Sequence, residues 1–243
     1  MSNKEKIYIF GRHAVESFLN ECPSLVLRVW LDERKCNNKR QELLRKQLPG
    51  GCKLEALTPA VLNQLSEGAQ TQGWVALISL PMYQAKDLPE LLADDESCLV
   101  LDHLHDPHNV GACIRSACAF GVRTVLIPKH GACPINATVA KVAAGALAHV
   151  RVVTGNIAML IKQLKKQGFW VVSTSERGDK VFGRDAFPTP TAWVVGNEEK
   201  GVSEMILRQS DACFRLPTSP DFPSLNVSVA TGVVLMQGLV ENT

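Results

Sequence analysis

Apolar and polar residues follow two different patterns along the chain, and the change falls near residue 80. In the first part, segments with helical spacing of apolar residues alternate with short apolar segments, which predicts a small α/β sandwich. The predicted helices are residues 13–21, 38–48 and 59–67, and the predicted strands are residues 25–31, 53–57 and 74–80.

From Cys98 onward, short and continuously apolar segments are separated by helical ones. Strands that are buried on both faces have this pattern, so we predict a mostly parallel sheet covered by helices. Ligands of open parallel sheets bind outside the carboxyl ends of the strands. The loops after these strands are therefore the places to search for chemistry. The predicted strands are CLVLDHL, TVLIP, HVRVVT, FWVVST, AWVVGN and CFRLP.

The segment between the two patterns contains two prolines and a run of acidic residues, which is typical of a linker with one short helix. The chain of 243 residues is long enough to bury two cores. We therefore expect a first domain over residues 1–80, a linker over 81–96 and a second domain over 97–243.

Composition narrows the class of protein without naming a function. Hydrophobic residues make up 46% and charged residues 21%, and the apolar segments are too short to span a bilayer. The N-terminus lacks the apolar stretch of a signal peptide, so we expect a cytoplasmic protein without a membrane partner. The eight cysteines include no C-x-x-C pair, and we interpret them as structural thiols instead of metal ligands.

The net charge of +2 is too small to indicate nucleic-acid binding by itself, so any RNA site has to be a local patch. Residues 1–80 contain 11 lysines and arginines against 8 acidic residues. Part of this basic surplus forms one cluster. The cluster is explained equally well by a solvated helix face and by an RNA-contacting face. The cluster consists of Arg34, Lys35, Lys39, Arg40, Arg45 and Lys46.

The first polar loop of the second part follows CLVLDHL. We expect Pro107 to end the strand, and Gly111 to let a helix begin close to its neighbours. Asn109 and Arg115 are then hydrogen-bond donors at the open end of the sheet. The preceding H-x-H-D-x-H run is similar to the histidine motif of zinc hydrolases, but Pro107 stands where that motif needs an aspartate, which disfavours zinc.

The second loop, from Gly196 to Ser203, imitates a phosphate-binding loop, but Val202 stands where the phosphate-binding lysine must be. A nucleotide triphosphatase is therefore disfavoured. Its glycines permit a close approach of the backbone to a ligand, Glu198 is an acceptor, and Ser203 is a candidate helix cap.

The third loop, from Leu216 to Ser228, contains three prolines that stiffen it. An apolar helix follows to about Val240, and either Ser224 or Asn226 is placed to cap it.

Three motifs in this order resemble those of the SpoU/TrmH family of knotted SPOUT methyltransferases. They are D-P-x-N-x-G-A-x-x-R-S, G-N-E-x-x-G-V-S and L-P followed by S-L-N-V-S-V-A-T-G. The N-terminal G-R-H-A-V-E and the later T-Q-G are similar to the substrate-binding domain of the subgroup that methylates a guanosine of 23S rRNA. The resemblance covers nearly the whole chain.

The resemblance implies an α/β fold with a C-terminal trefoil knot, preceded by a small L30e/L7Ae-like substrate-binding domain. It implies a homodimer that binds S-adenosylmethionine and methylates a ribose 2′-hydroxyl of structured RNA, with a guanosine of 23S rRNA as the substrate. The same chemistry on tRNA, or an RNA-binding relative with weak or lost methyl transfer, are the alternatives. The absence of G-x-G-x-x-G after any strand independently argues against a Rossmann-type methyltransferase.

The resemblance also implies roles for individual residues. It leaves open whether Arg115 removes the proton of the hydroxyl or instead binds the ribose phosphate and the developing oxyanion, because a guanidinium gives up its proton only far above neutral pH. Backbone around Gly196, Leu216 and Leu225 is implied to hold the cofactor. The implied catalytic set is Asn109, Arg115, Glu198, Ser224 and Asn226.

The third loop departs from the family pattern, since Thr218 and Pro220 replace methionine and glycine, and Phe222 and Pro223 follow. Pro220 removes a backbone donor, at a cost of about 1 kcal/mol, whereas its rigidity gains about 0.4–1 kcal/mol. We therefore expect Pro220→Gly to tighten S-adenosylmethionine binding a few-fold in calorimetry. Weaker binding by the glycine variant would mean that preorganisation of the loop dominates.

Overall fold

The computed structural model describes residues 3–35, 38–48, 50–66, 68–176, 178, 180–183, 187–219, 221 and 224–240. Within these residues, the helices are α1 (Arg12–Glu21), α2 (Asn38–Gln47), α3 (Pro59–Leu65), α4 (Leu88–Leu91), α5 (Pro107–Ala119), α6 (Ala137–Val142), α7 (Ile157–Lys166), α8 (Glu204–Leu207) and α9 (Val227–Val240). The strands are β1 (Asn3–Phe10), β2 (Val26–Asp32), β3 (Lys53–Leu57), β4 (Trp74–Gln84), β5 (Ser97–Asp102), β6 (Thr124–Pro128), β7 (Arg151–Gly155), β8 (Trp170–Thr174), β9 (Lys180–Val181), β10 (Thr191–Gly196) and β11 (Ala212–Arg215).

These strands form one sheet in the order β3-β2-β4-β7-β6-β5-β10-β8-β11-β9, and β1 pairs with β4. All neighbours from β4 to β9 in that order are parallel. Only β1 and β2 run antiparallel to β4 among the described pairs. The prediction of a mostly parallel sheet in the second part is therefore confirmed.

Strand β4 joins the two parts of the chain. Its residues 74–78 pair with β2, and its residues 82–84 pair with β7. The sequence pattern predicted a strand that ends at residue 80, but β4 continues to Gln84 through Pro81. Pro81 lies between the residues that pair with β2 and those that pair with β7, so neither of these strands needs its missing N–H. In the ladder with β1, its partner is Lys4, near the end of that pairing.

Strand β1 was not predicted from the sequence. Residues 4–6 of this strand are charged and exposed, and apolar alternation is limited to its end, where Ile7 and Ile9 are buried and Tyr8 is exposed. A period of two that extends over so few residues is a weak strand signal. Pairing along the full length of β1 with β4 supplies the hydrogen bonds that the pattern alone does not indicate.

The start of the first polar loop also differs from the prediction. Strand β5 ends at Asp102 and does not reach Leu104, and Pro107 begins helix α5 instead of ending the strand. Asp106 is the N-cap, and its carboxylate accepts a hydrogen bond from the backbone N–H of His108 at 2.9 Å. Proline suits the first helical position because the backbone N–H that it lacks would have no partner within the helix there.

The main hydrophobic core includes residues from both parts, among them Ile9 and Phe18 on one side and Val139 and Leu147 on the other. The Cys22 thiol donates a hydrogen bond to the carbonyl of Ala148 across this contact, at 3.0 Å. No helix in the described ranges is both long and apolar enough to cross a bilayer.

The contact between α1 and the segment before β7 gives a stability test. Gly145 has a φ of 92°, and a Cβ there would overlap the hydroxyl oxygen of Ser17 in α1. Gly168 has a φ of 85° but no atom within 4 Å of a built Cβ, so it isolates the backbone strain.

Both Gly145→Ala and Gly168→Ala should lose roughly 1–2 kcal/mol of unfolding free energy because of the positive φ. Gly145→Ala should lose a further ~1–3 kcal/mol because its methyl group overpacks the contact with Ser17. Urea unfolding of the two variants measures the difference. Equal losses would contradict tight packing between the two parts of the chain.

Candidate active site

Strands β5 and β10 are parallel neighbours that end side by side, with Gly196 opposite Asp102. The first and second polar loops therefore leave the sheet at the same edge. Gly196 is required at this point, because a Cβ would overlap the backbone of Gly201 and Val202, where the second loop folds back on itself. The two loops meet at the carboxyl ends of the strands, as expected for a ligand site.

The carboxylate of Asp102 holds the second loop against β5. Asp102 is only 1% exposed. Its Oδ2 accepts a hydrogen bond from the backbone N–H of Ser203 at 2.7 Å, and its Oδ1 lies 2.6 Å from Nδ1 of His103. Ser203 occupies the N-cap position of α8, as predicted, but its hydroxyl makes no capping hydrogen bond. The backbone N–H of Ser203, and not its hydroxyl, is the group that holds the second loop against β5.

Asn197 holds in place the turn of the second loop, which lies between Gly196 and Ser203. Its Nδ2 donates to the carbonyl of His103 at 2.9 Å. Its Oδ1 accepts hydrogen bonds from the backbone N–H groups of Glu199 and Lys200, at 3.0 and 3.1 Å. These hydrogen bonds close the turn and attach it to the first loop. Glu198 lies at the tip of the turn.

Asn109 connects all three polar loops. It lies in the first turn of α5 and is 8% exposed. Its Nδ2 donates to Oε1 of Glu198 at 2.9 Å, and its Oδ1 accepts from Nδ2 of Asn226 at 3.0 Å. Asn226 in turn accepts from the backbone N–H of Ser228 at 2.9 Å and so caps α9, as predicted. We call Asn109, Glu198 and Asn226 the amide cluster.

Not every residue of the predicted site joins the amide cluster. Arg115 lies on α5, but its side chain is exposed, and no hydrogen bond among the described residues links it to the cluster. Ser224 and Leu225 are exposed beside Asn226, and Leu216 is half-buried after β11. The predictions about Pro220, Phe222 and Pro223 lie outside the described residues.

Helices α5, α6 and α9 support the amide cluster by close packing. Gly111 confirms the predicted close approach, because a Cβ there would lie 2.8 Å from the carbonyl oxygen of Val139 in α6. On α9, the Thr231 hydroxyl lies 3.3 Å from the Cys113 thiol. These contacts fix the position of α5, and with it that of Asn109.

The cluster offers amide and carboxylate groups but no activated nucleophile. Burial raises the pKa of the nearby Cys113 thiol to about 12, so it is not a thiolate at neutral pH. Among the described residues, no group of three or more His, Cys, Asp or Glu side chains is arranged to hold a metal ion. The His103 ring instead faces Asp102. The arrangement suits binding and orientation of polar groups.

Sequence reasoning missed Asp102 and Asn197. Asp102 had one usable signal, since it is the only charged residue of the apolar segment CLVLD and stands at its carboxyl end. Asn197 follows the strand-ending Gly196 directly, a position where asparagine commonly bonds to the backbone of its own turn. Both residues position the second loop.

Comparison with known proteins identifies the class to which this fold and site belong. The model of the SpoU rRNA Methylase family matches residues 96–236. A second model, described as RNA 2'-O ribose methyltransferase substrate binding, matches residues 8–84. The chain therefore belongs to the SpoU rRNA methylase family.

Individual relatives match over the full length of the chain. A protein of Neisseria meningitidis is 35% identical over 240 residues, which cover 98% of this chain and 95% of the relative. A protein of Pseudomonas aeruginosa is 38% identical over 250 residues, which cover 100% and 99%. Both are named 23S rRNA (guanosine-2'-O-)-methyltransferase RlmB.

The solved structures show the same fold. The crystal structure of the SpoU methyltransferase AviRb from Streptomyces viridochromogenes, in complex with AdoMet, is 21% identical and has a TM-score of 0.82. The match covers 98% of this chain and 90% of that one. The likeness therefore includes the N-terminal part and the arrangement of both parts in the fold.

The double role of Asn109 as donor and acceptor gives a test of the amide cluster. Asn109→Asp loses the donor to Glu198 and places two carboxylates together, so we expect a loss of about 1–3 kcal/mol of unfolding free energy at neutral pH. Asn156→Asp is the matched control, because within the described residues the Asn156 side chain only accepts a hydrogen bond, from the Met159 N–H at the start of α7. That change should be neutral or slightly stabilising. Similar denaturation curves for both variants would contradict the role of Asn109.

Proposed function

We propose that this protein transfers a methyl group from S-adenosylmethionine to the ribose 2′-hydroxyl of a guanosine in 23S rRNA. The observation that carries the proposal is the amide cluster, in which residues from three separate family motifs are hydrogen-bonded at the carboxyl edge of the sheet. The full-length similarity to enzymes named for this reaction supports the substrate.

The alternatives have less support. Methylation of tRNA uses the same chemistry. The relatives that are named as 23S rRNA enzymes, however, also match the N-terminal part of this chain, which contains the residues matched by the substrate-binding family model. An RNA-binding relative without activity would have no need for a buried amide that satisfies both Glu198 and Asn226. The intact amide cluster therefore favours an enzyme.

The residues around the amide cluster fit the cofactor. Gly196 precedes the turn that holds Glu198, and Leu225 precedes Asn226, so both stand directly beside the cluster. The half-buried Leu216 and the exposed Leu225 offer apolar contact, and the loop backbones offer hydrogen bonds. We assign these three residues to the adenine and ribose of S-adenosylmethionine, which supplies an already electrophilic methyl group when bound.

The protein then has to orient the ribose hydroxyl and stabilise the oxygen as its proton leaves. The cofactor would supply the methyl carbon that bonds to the 2′-oxygen as its bond to sulfur breaks, and the hydroxyl proton would pass to solvent water. Asn109, Glu198 and Asn226 form a prearranged polar wall for this alignment. Arg115 is assigned to the substrate phosphate and the developing oxyanion, because a guanidinium makes strong charge-assisted hydrogen bonds to such oxygens. Ser224, exposed on the third loop, completes the proposed set.

A second copy of the chain explains the exposed groups near the site. On α9, Val229, Val233 and Met236 are 52%, 37% and 49% exposed and recur with helical spacing. The opposite side of α9 packs against α5, which carries the exposed Arg115. We assign this apolar stripe to a homodimer interface, which would bring the partner close to Arg115.

Two further assignments follow from the family. We assign RNA binding to a first domain (1–80) and catalysis to a second domain (97–243), and the family matches over residues 8–84 and 96–236 support this assignment. The predicted linker (81–96) begins inside β4, so it is not a flexible connection. The position of β10 between β5 and β8, both earlier in the chain, supports the trefoil knot in the catalytic domain. A ribosomal RNA substrate agrees with a cytoplasmic location.

Methylation of 23S rRNA transcripts with labelled S-adenosylmethionine tests the function, with the modified nucleotide mapped in RNA from cells with and without the gene. Arg115→Ala should lower kcat/KM by more than tenfold, roughly 1.4 kcal/mol in barrier, with cofactor affinity unchanged. Arg123→Ala is the control, because Arg123 is exposed just before β6, at the opposite edge of the sheet. Absence of any 2′-O-methylguanosine would overturn the function, and activity of Arg115→Ala within tenfold of wild type would overturn only the role of Arg115.

A further inference from the structure

A polar cleft of about 500 Å³ lies in the N-terminal part, and none of the residues that line it belongs to the amide cluster. It lies between the end of β2, the start of α3 and the loop that precedes β4. Its volume falls in the ~300–1,000 Å³ range that is typical of small-molecule pockets. Asp32, Lys35, Gln72 and Gly73 are among the residues that line it.

Asp32 places a carboxylate with one open oxygen in this cleft. Asp32 is 6% exposed, and its Oδ1 accepts a hydrogen bond from the backbone N–H of Arg34 at 2.9 Å. No hydrogen bond from any residue of the described ranges reaches its Oδ2. A largely buried carboxylate whose oxygen faces a cleft is stabilised by an N–H donor, so the cleft is suited to a ligand that brings one.

The backbone beside Asp32 keeps the approach to this carboxylate clear. A Cβ at Gly73 would lie 3.0 Å from the Cβ of Asp32 and 3.7 Å from its Oδ2. Gln72 has a φ of 53°, a strained conformation for a residue other than glycine, and its Oε1 accepts from the backbone N–H of Arg12 at 3.3 Å. Such strain is concentrated at binding sites. The G-R-H and T-Q-G segments are thus joined at the cleft.

Lys35 supplies the opposite charge at the rim. Its side chain is exposed, and its Cδ would lie 3.0 Å from a Cβ at Gly73, so its aliphatic part covers the glycine. An ammonium group near a buried carboxylate suits a ligand with both a phosphate and N–H donors. A nucleotide has this combination.

We propose that this cleft binds an unpaired guanosine of the RNA substrate, with the base edge on Asp32 and the phosphate near Lys35. The proposal rests on the proposed RNA function. Guanine presents adjacent imino and amino N–H groups on its Watson–Crick edge, and a carboxylate accepts from both. The other bases place acceptors next to their donors on that edge, which would repel the carboxylate.

The bound guanosine is distant from the methylated nucleotide in the same protomer. The cleft precedes the first residue of β4, whereas β7 pairs with its last three residues. At about 3.3 Å per residue, β4 spans on the order of 30 Å. The cleft therefore contributes to RNA affinity and not to the chemical step.

Asp32→Asn tests the proposal, because the asparagine oxygen retains the hydrogen bond from Arg34 and its amide group replaces the open oxygen. Asp87→Asn is the matched control, since Asp87 accepts from the backbone N–H of Gln84 at 2.9 Å outside the cleft. Binding of guanosine and adenosine monophosphates to the full chain is measured by calorimetry. We expect Asp32→Asn to weaken guanosine monophosphate at least tenfold, with no change for Asp87→Asn and weaker adenosine monophosphate binding in the wild type.

Two further measurements complete the test. Lys35→Gln should weaken guanosine monophosphate but not guanosine, which keeps the proposal testable if Asp32→Asn does not fold. With 23S rRNA, Asp32→Asn should raise KM and leave kcat unchanged. Equal affinity of wild type and Asp32→Asn for guanosine monophosphate, or equal affinity of the wild type for the two nucleotides, would overturn the proposal. A wild type that binds guanosine monophosphate through Asp32 but does not methylate RNA would overturn the proposed function and leave the cleft intact.

Discussion

The buried carboxylate of Asp102 is the interaction on which the site depends. An ionised carboxylate at the end of an apolar strand costs on the order of several kcal/mol unless it is hydrogen-bonded. The backbone N–H of Ser203 and the imidazole of His103 supply these bonds. The bond to Ser203 brings the second loop back over the end of β5, and this return is possible because Gly196 has no side chain to block it. Once both ends of the turn are held, Glu198 lies next to α5. The geometry of the cluster is therefore a consequence of satisfying one buried charge.

Asn109 joins the three polar loops into one surface through its hydrogen bonds. An amide has a donor and an acceptor at fixed positions, so it can join a carboxylate on one side and a second amide on the other. A carboxylate or an ammonium at position 109 could satisfy only one of these neighbours. Because Asn226 also caps α9, the long C-terminal helix is attached to the same cluster. The binding surface is thus held before any ligand arrives, which lowers the reorganisation needed for methyl transfer.

The sequence predicts the parts of this site that depend on local chemistry. Prolines, glycines and capping residues after buried strands indicated three loops, and the strand-end rule marked these loops as the place to search. That Asn109, Glu198 and Asn226 belong to one set was implied by the resemblance to the family. The sequence could not predict the role of Asp102, because one acid at the end of an apolar segment does not reveal its hydrogen-bond partner 101 residues later. The extension of β4 was hidden by Pro81, whose effect depends on which neighbours pair on each side. Arg115 on the helix surface has no hydrogen-bond partner in the amide cluster, so the role proposed for it depends on substrate or a second copy.

The continuity of β4 limits what kind of RNA this protein can read. A flexible linker would allow the N-terminal part to follow many substrates, but here one strand pairs with β2 at its start and with β7 at its end, and a shared core covers the junction. The separation between the cleft at Asp32 and the sheet that carries the amide cluster is therefore fixed by the fold, at about 3.3 Å for each residue of β4. An RNA that contacts both the cleft and the amide cluster has to present two nucleotides at a matching distance. A folded RNA holds its nucleotides at such a distance, whereas a short flexible strand adopts it only at an entropic cost. If RNA binds at the cleft as proposed, selection of structured RNA would follow from the rigidity of one strand, without any additional contact to the methylated nucleotide.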